Sequence, residues 1–326
     1  MKLFRHLKTV VAGLSLGIAL AAQAQDKPPL RLIVGFAPGG STDTVARVIA
    51  DKLRGPLGQP VIVENKPGAG GRLAAEALKN SAPDGQTYMI APNATGVFQA
   101  LLYPVSVLRY DLLNDLAPVA VLVSYPLALA VGTKTGVDNV KEYVAYVKGK
   151  PERGMFGSAG LGGHTHFSGL QLAKAAGVEL NVVPYKGNGP LAIDLLGGQV
   201  PAGIMTAGDI AQHQKTGDVK LIGVFGAERS PLLPEVPTLI EQGYNVDTGN
   251  AWIGMWAPAK TPKAELDRMQ AALKQVLDLP DVRDLLINKQ TMQPDFRPAA
   301  ELDKLQRKEL AYWGPVIKST GFKPEQ

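Results

Sequence analysis

Cysteine is absent from the 326 residues. That excludes disulfides, thiolate metal sites and a cysteine nucleophile, so the chain has to be held by its core alone. Histidine is scarce, with four residues. No Lys/Arg run interleaved with aromatics occurs, which argues against nucleic acid as a partner. Apolar runs long enough to span a membrane are also missing. The nearest approach is Val10 to Ala22, near the N-terminus. It follows Lys2, Arg5, His6 and Lys8 and precedes Ala22-Gln23-Ala24, a small-x-small cleavage pattern. Basic start, short apolar stretch and small-residue exit together describe a secretory signal peptide. Residues 1–24 are therefore expected to be removed, leaving a mature chain from Gln25. No Cys follows the stretch to carry a lipid.

The formal charge of +5 shrinks with that leader: without Lys2, Arg5 and Lys8, 31 basic residues face 29 acidic ones. About 300 residues remain, which suggests two domains, since single cores stop growing near that size. At 45% hydrophobic, the chain can fill both.

Strand and helix patterns alternate. Leu30 to Val34 reads as a strand, broken at Ala37-Pro38-Gly39-Gly40. Ser41 or Thr42 is placed to cap a helix carrying Val45, Val48, Ile49 and Leu53 on one face. Val61 to Val63, a Gly-rich loop, the helix Leu73 to Leu78 and the strand Thr87 to Ile90 continue the series. A second unit of the same kind starts at Arg153 to Phe156. It passes through Gly157-Ser158-Ala159-Gly160-Leu161-Gly162-Gly163 into a helix beginning near His164 or Thr165. Further strands are expected at Val182-Val183, Val200 to Met205 and Leu221 to Phe225. Helices are expected at Pro190 to Leu196, Lys263 to Leu277, Val282 to Asn288 and Glu301 to Ile317. Such alternation predicts α/β architecture with mostly parallel sheets. Two strand–Gly-Gly–helix units about 120 residues apart predict two lobes. Val119 to Val131 and Ala251 to Ala257 are the expected crossings between them. The expected division is 25–122 with 250–326 for one lobe and 123–249 for the other.

In open α/β sheets ligands sit beyond the carboxyl ends of the strands. Glycine there lets backbone N–H groups approach a ligand, and a helix N-terminus favours an anion without Arg or Lys. Each Gly-Gly loop read alone is more readily a tight turn, and only the pair of them, one opening each lobe, brings the binding reading level with it. Neither is a nucleotide motif: Gly39-Gly40-Ser41-Thr42 has no P-loop Lys, and Gly68-x-Gly70 lacks the fingerprint spacing. Gly157-Ser158-Ala159-Gly160 lacks the spacing of a nucleophile elbow. His164 and His166, two apart on a helix start, diverge, so a hydrogen bond to a ligand or carbonyl fits them better than a metal. Asp43 and Asp194 have no visible acid–base partner. Lys186 could face a carboxylate or join a surface pair. Trp252 and Trp256 could wall the cleft or belong to the core. A hydrolase using Ser41 or Ser158 lacks a His–acid partnership.

The residues Val34-Gly35-Phe36-Ala37-Pro38-Gly39-Gly40-Ser41-Thr42-Asp43, with Ala46-Arg47, resemble the first signature of the tripartite tricarboxylate transporter solute-binding proteins, the Bug family. Leu57 to Val61, Val63 to Gly71, Ala82 to Gly85, Val183 to Gly187, Asp194 to Val200, Arg229 to Thr238 and Trp313-Gly314 continue the likeness. The resemblance implies a periplasmic, two-lobed Venus-flytrap binding protein, not an enzyme. It would serve a tripartite transporter's membrane subunits as a monomer, without cofactor or metal. It implies a small carboxylate held between two loops, partly through ordered water. Carried over, the first loop is Phe36 to Asp43, including Pro38, Gly39, Gly40, Ser41 and Thr42. The second is Gly157 to Thr165, including Ala159, Gly162, Gly163 and His164, with Ser158 and Thr165 as hydroxyl donors. Lys186, Met205 and Thr206 complete the expected site. Where many members read Phe-Asp-Asn, this chain reads Ile204-Met205-Thr206. That departure removes a partner for a ligand ammonium or hydroxyl, and Met205 suggests an apolar contact. An apolar or aromatic carboxylate, rather than an amino acid, is therefore expected. Transport and sensing are equally compatible with the sequence.

Overall fold

The computed structural model describes residues 28–324; the expected leader lies outside the described residues. The chain builds two sheets, each flanked by helices. β1 (Leu30–Val34) leads into α1 (Ser41–Leu57), β2 (Val61–Asn65), α2 (Arg72–Lys79) and β3 (Thr87–Pro92). β1 lies between β2 and β3, parallel to both, with Leu32 beside Val63 and Tyr88. Its residues are apolar at nearly every position because both faces are covered, as parallel strands require. α1 buries Val45, Ile49 and Leu53 against this sheet.

β4 (Leu116–Tyr125) belongs to the first sheet and β5 (Leu127–Gly132) to the second. One residue, Pro126, separates them. The second lobe continues with α3 (Val140–Val147), β6 (Met155–Ser158), α4 (His164–Ala176), β7 (Asn181–Pro184), α5 (Asn188–Gly197), β8 (Ala202–Thr206) and β9 (Val219–Val224). β6 pairs in parallel with β7 and β8, and β5 joins antiparallel between β8 and β9. The chain then returns to the first sheet as β10 (Ala251–Pro258), α6 (Lys263–Asp278), β11 (Gln293–Pro298) and α7 (Ala299–Thr320). The strand orders are β11-β4-β10-β3-β1-β2 and β7-β6-β8-β5-β9. Two strands running against the parallel core, β10 and β11, thus enter the first sheet, and one, β5, enters the second.

The C-terminal segment reaches across. Trp313 of α7 lies 6.4 Å from Phe167 of α4, and Phe322 stands edge-on to His166 and Phe167. These aromatics form one buried cluster with Phe98 and Trp256. Among the described residues no helix is long and apolar enough to cross a membrane.

Candidate functional site

The parallel strands of both sheets end at a common surface. Ser41, just after β1, donates its hydroxyl to Asp209, just after β8, at 2.8 Å. Asn93, just after β3, contacts His164, just after β6, at 3.1 Å. A Cβ on Gly162 would meet Leu102 of the first lobe at 2.4 Å. β1 neighbours β3, and β6 neighbours β8. The β1 loop therefore opposes the β8 loop while the β3 loop opposes the β6 loop. The two Gly-Gly loops sit diagonally across one interlobe surface.

Both loops end in helices without side-chain caps. Gly40, in extended backbone, is the N-cap of α1, and Gly163 is the N-cap of α4. The expectation that Ser41 or Thr42 caps α1 is corrected: both lie inside its first turn. Ser41 turns its hydroxyl across the cleft instead. The first-turn N–H groups, which have no partner inside a helix, are consequently left without a capping oxygen of their own chain. Gly39 holds φ at +90°, a conformation that side chains disfavour.

Asp43 fastens the first loop from beneath. It is buried and accepts from the Gly39 amide at 2.9 Å, from Arg47 Nε at 2.8 Å and from Asn65 Nδ2 at 2.8 Å. Burial pushes its carboxyl up, but donation from Arg47, Gly39 and Asn65 outweighs this and holds it below the ordinary range. Its oxygens are thus committed to the loop. Thr42 is buried beside it, and Phe36, Pro38 and Gly39 ride on the exposed or half-buried outer side.

In the second loop, Ser158 donates to the Gly160 carbonyl at 2.9 Å and contacts Thr165 Oγ1 at 2.7 Å. With the Ser158 proton so used, Thr165 is the donor of that second bond. Both hydroxyl protons expected to meet a ligand are spent inside the loop. His164 donates Nε2–H to the Thr248 carbonyl at 2.9 Å, leaving Nδ1 to accept from Asn93. His166 Nδ1 accepts from the Gly162 amide at 3.1 Å. Burial pulls both imidazoles down to about 4, so they are neutral at pH 7. The carbonyl partner anticipated for this pair is therefore the Thr248 oxygen. Ala159 is exposed at the loop's tip.

One expectation changes, and two readings left open by the sequence are decided. Met205 is fully buried in the core cluster that holds Leu191 and Ile210, because its side of β8 packs under α5. It supplies no apolar contact to a ligand, and the ground for an apolar or aromatic carboxylate goes with it. Thr206, the next residue, accepts from Asn188 at 3.2 Å at the cleft end of β8. Lys186 is exposed and forms no hydrogen bond or ion pair with the described residues. Trp252 and Trp256 are core rather than wall. Both are buried, with indole N–H groups on Glu309 at 2.6 Å and Gln306 at 3.3 Å.

The sequence reading missed Asn93, Asn188, Asp209 and Glu309. Asp209 accepts from Ser41 and, at 2.6 Å, from Asn188. Burial raises its carboxyl, with Asn188 and Ser41 acting against the rise. Glu309 of α7 accepts from Trp252 and from Asn93, the latter at 3.2 Å. Burial lifts it to about 7 in spite of them. The Asp209 signal was present in Thr206-Ala207-Gly208-Asp209, a polar carboxylate directly after a buried strand. The Glu309 signal was not, since it lies among charged residues of a long helix.

A family model described as tripartite tricarboxylate transporter family receptor matches residues 45–322. Protein BugT of Bordetella pertussis is 32% identical over 313 residues, covering 94% of each chain. Among solved structures, MatC of Rhodopseudomonas palustris with bound malate is 32% identical, with a TM-score of 0.80, covering 89% of this chain and 98% of that one. A second R. palustris protein, solved with adipate, is 27% identical with a TM-score of 0.85, covering 92% of this chain and 100% of that one.

Proposed function

This chain belongs to the tripartite tricarboxylate transporter receptor family, periplasmic solute-binding proteins rather than enzymes, and from that premise we propose that it captures a small carboxylate between its lobes and delivers it to the transporter's membrane subunits. The lobes divide at Pro126 and again before Ala251, since β4 stays in the first sheet through Tyr125 rather than leaving it after 122 as expected, and they swing about these two strand crossings. Export follows cleavage of the N-terminal leader, and the receptor acts as a monomer. The observation carrying this reading is the pair of uncapped helix N-termini, at Gly40 and Gly163, opening onto one interlobe surface. Such termini attract an anion through unpartnered amides and the aligned helix dipole. The carboxylate oxygens accept from the loop amides, directly or through water, and closure shields them from solvent. Ligand selects the closed form in proportion to its preference for that form. Malate and adipate in the similar proteins support a carboxylate as the ligand class.

A thermal-shift screen of small mono-, di- and tricarboxylates, followed by calorimetry with the strongest responder, tests this. Gly40→Trp and Gly163→Trp are the decisive variants. Neither glycine has a positive φ, and a Cβ at either would meet nothing closer than 4.0 Å, so both variants can fold. Each should weaken binding by about 100-fold or more, because the indole occupies the approach to the amides. Unchanged affinity in both would remove the loops from the site.

A further inference from the structure

Asp209 stands out in the cleft because the neutral groups that hold it leave its charge unanswered. Its two donors are the Ser41 hydroxyl and the Asn188 amide. The groups that offset its burial are those same two, and no cation among the described residues acts on it. A carboxylate has about four lone-pair sites, and two donors leave capacity for more. Neutral donors do not compensate a desolvated negative charge as a cation does.

Beside it, Asn188 carries a second unanswered acceptor. Its Nδ2 faces Asp209 Oδ2 and Thr206 Oγ1. Asp209 can only accept, so the orientation of that amide is settled. The carbonyl Oδ1 is buried and without a partner. A buried acceptor left unpaired is costly, and one in a ligand cleft has an evident use. Asp209 and Asn188 thus present a negative charge and a carbonyl together, next to Ser41 at the start of α1. A ligand group that satisfies both must be a donor with more than one proton and a positive charge.

We propose that Asp209 and Asn188 set the specificity of the cleft, selecting a carboxylate that also bears a cationic nitrogen, an amino- or ammonium-carboxylate. This rests on the carboxylate-receptor reading above and narrows its substrate class. The ligand's carboxylate lies on the loop amides and its nitrogen turns to Asp209 Oδ and Asn188 Oδ1. The same charge disfavours a second carboxylate on the ligand, since like charges brought together in a closed cleft repel strongly. Two similar proteins were solved with the dicarboxylates malate and adipate, and this preference would set the chain's ligand apart from theirs.

The test is calorimetry on matched probes of three skeletons. The four-carbon set is butanoate, 2-aminobutanoate, 4-aminobutanoate, 2-hydroxybutanoate and succinate. The six-carbon set is hexanoate, 2-aminohexanoate, 6-aminohexanoate, 6-hydroxyhexanoate and adipate. The aromatic set is 3-methylbenzoate, 3-(aminomethyl)benzoate, 3-(hydroxymethyl)benzoate and isophthalate. In the skeleton that binds best, an amino member should bind about tenfold or more tighter than its plain, hydroxy and dicarboxylate counterparts. Asp209→Asn keeps the size and a hydrogen bond to Ser41 but removes the charge. It should erase that preference and raise the dicarboxylate's affinity. Ser41→Ala, which removes the interlobe bond but not the charge, should shift all probes alike and keep their order. If the dicarboxylate, hydroxy or plain acid binds as well as the amino acid, the inference fails while the carboxylate receptor stands. An unaltered order in Asp209→Asn overturns it equally. If no probe binds, the receptor reading falls and takes the inference with it.

Discussion

Asp43 illustrates what a single buried side chain does for the first loop. Its carboxylate gathers the Gly39 amide, Arg47 and Asn65, and Asn65 in turn donates to the Phe36 carbonyl at 3.0 Å. The loop is therefore held in shape from below before any ligand arrives, which lowers the ordering needed on binding. An acid on the first turn of a helix reads in sequence as a dipole partner, and that reading covers only part of its role. Asp43→Asn is the direct probe. The amide must point an N–H at one of three donors, so at least one bond becomes a clash. A loss of about 1–3 kcal/mol in unfolding free energy is expected, read by urea denaturation at pH 7. The depressed carboxyl adds a sign to check. Its stabilising contribution is complete above the ordinary Asp range and disappears as pH falls through the lowered value, so the gap between wild type and variant should close in acid. A constant gap down to pH 3 would deny the ionised carboxylate its role.

Among the secondary-structure elements, legibility followed periodicity. β1, β3, α1, α4 and α6 announce themselves by buried apolar patterns and glycine boundaries, and the observed ranges lie close to those expected. The apolar run Val119 to Val131 is a crossing from one sheet to the other, as expected. It is two strands in different sheets, separated at Pro126, and the apolar residues on either side of that proline carry no mark of which sheet each half joins. β11 was illegible because Gln293–Pro298 is polar, half-exposed and bounded by proline; it earns strand geometry only by pairing with β4. α3 was overlooked although its start was written plainly. Asn139 and Glu142 form a reciprocal cap: the Asn139 side chain accepts from the Glu142 amide at 2.9 Å, and Glu142 accepts from the Asp138 amide at 2.8 Å. Asn-x-x-Glu ahead of Tyr143 and Val147 is the signature of such a cap. Asn139→Ala should therefore cost about 1 kcal/mol, seen as a lower midpoint in chemical denaturation, with ligand affinity unchanged because α3 lies away from the interlobe loops. A midpoint equal to wild type would show that α3 is held by packing alone.

At the scale of the whole molecule, the lobes meet through a buried polar seam whose groups titrate in opposite senses. His164 belongs to the second lobe but stacks on Phe98 at 5.4 Å and stands edge-on to Trp313 at 5.3 Å, both in the first. Asn93 links its Nδ1 to Glu309. None of this pairing was readable from sequence, since it joins positions 71 and 216 residues apart. Burial lowers His164 to about 4, so its contribution to stability is complete above the ordinary His value and is lost as pH falls through the native one. Burial raises Glu309 from 4.5 to about 7, so its contribution runs the other way: complete below 4.5 and lost as pH climbs through 7. Between roughly pH 5 and 7 the two slopes oppose each other, and mild acidification should leave the wild-type melting temperature comparatively flat. Glu309→Gln keeps the acceptor for Trp252 but abolishes the titration. Acidifying that variant from pH 7 to pH 5 should lose about 2 kcal/mol more than wild type loses, because the histidine terms are no longer offset. Calorimetric melts at pH 5, 6, 7 and 8 read this directly. Parallel curves for the two proteins would mean that Glu309 is already ionised in the folded state, and that Asn93 and Trp252 hold it as a charge across the seam.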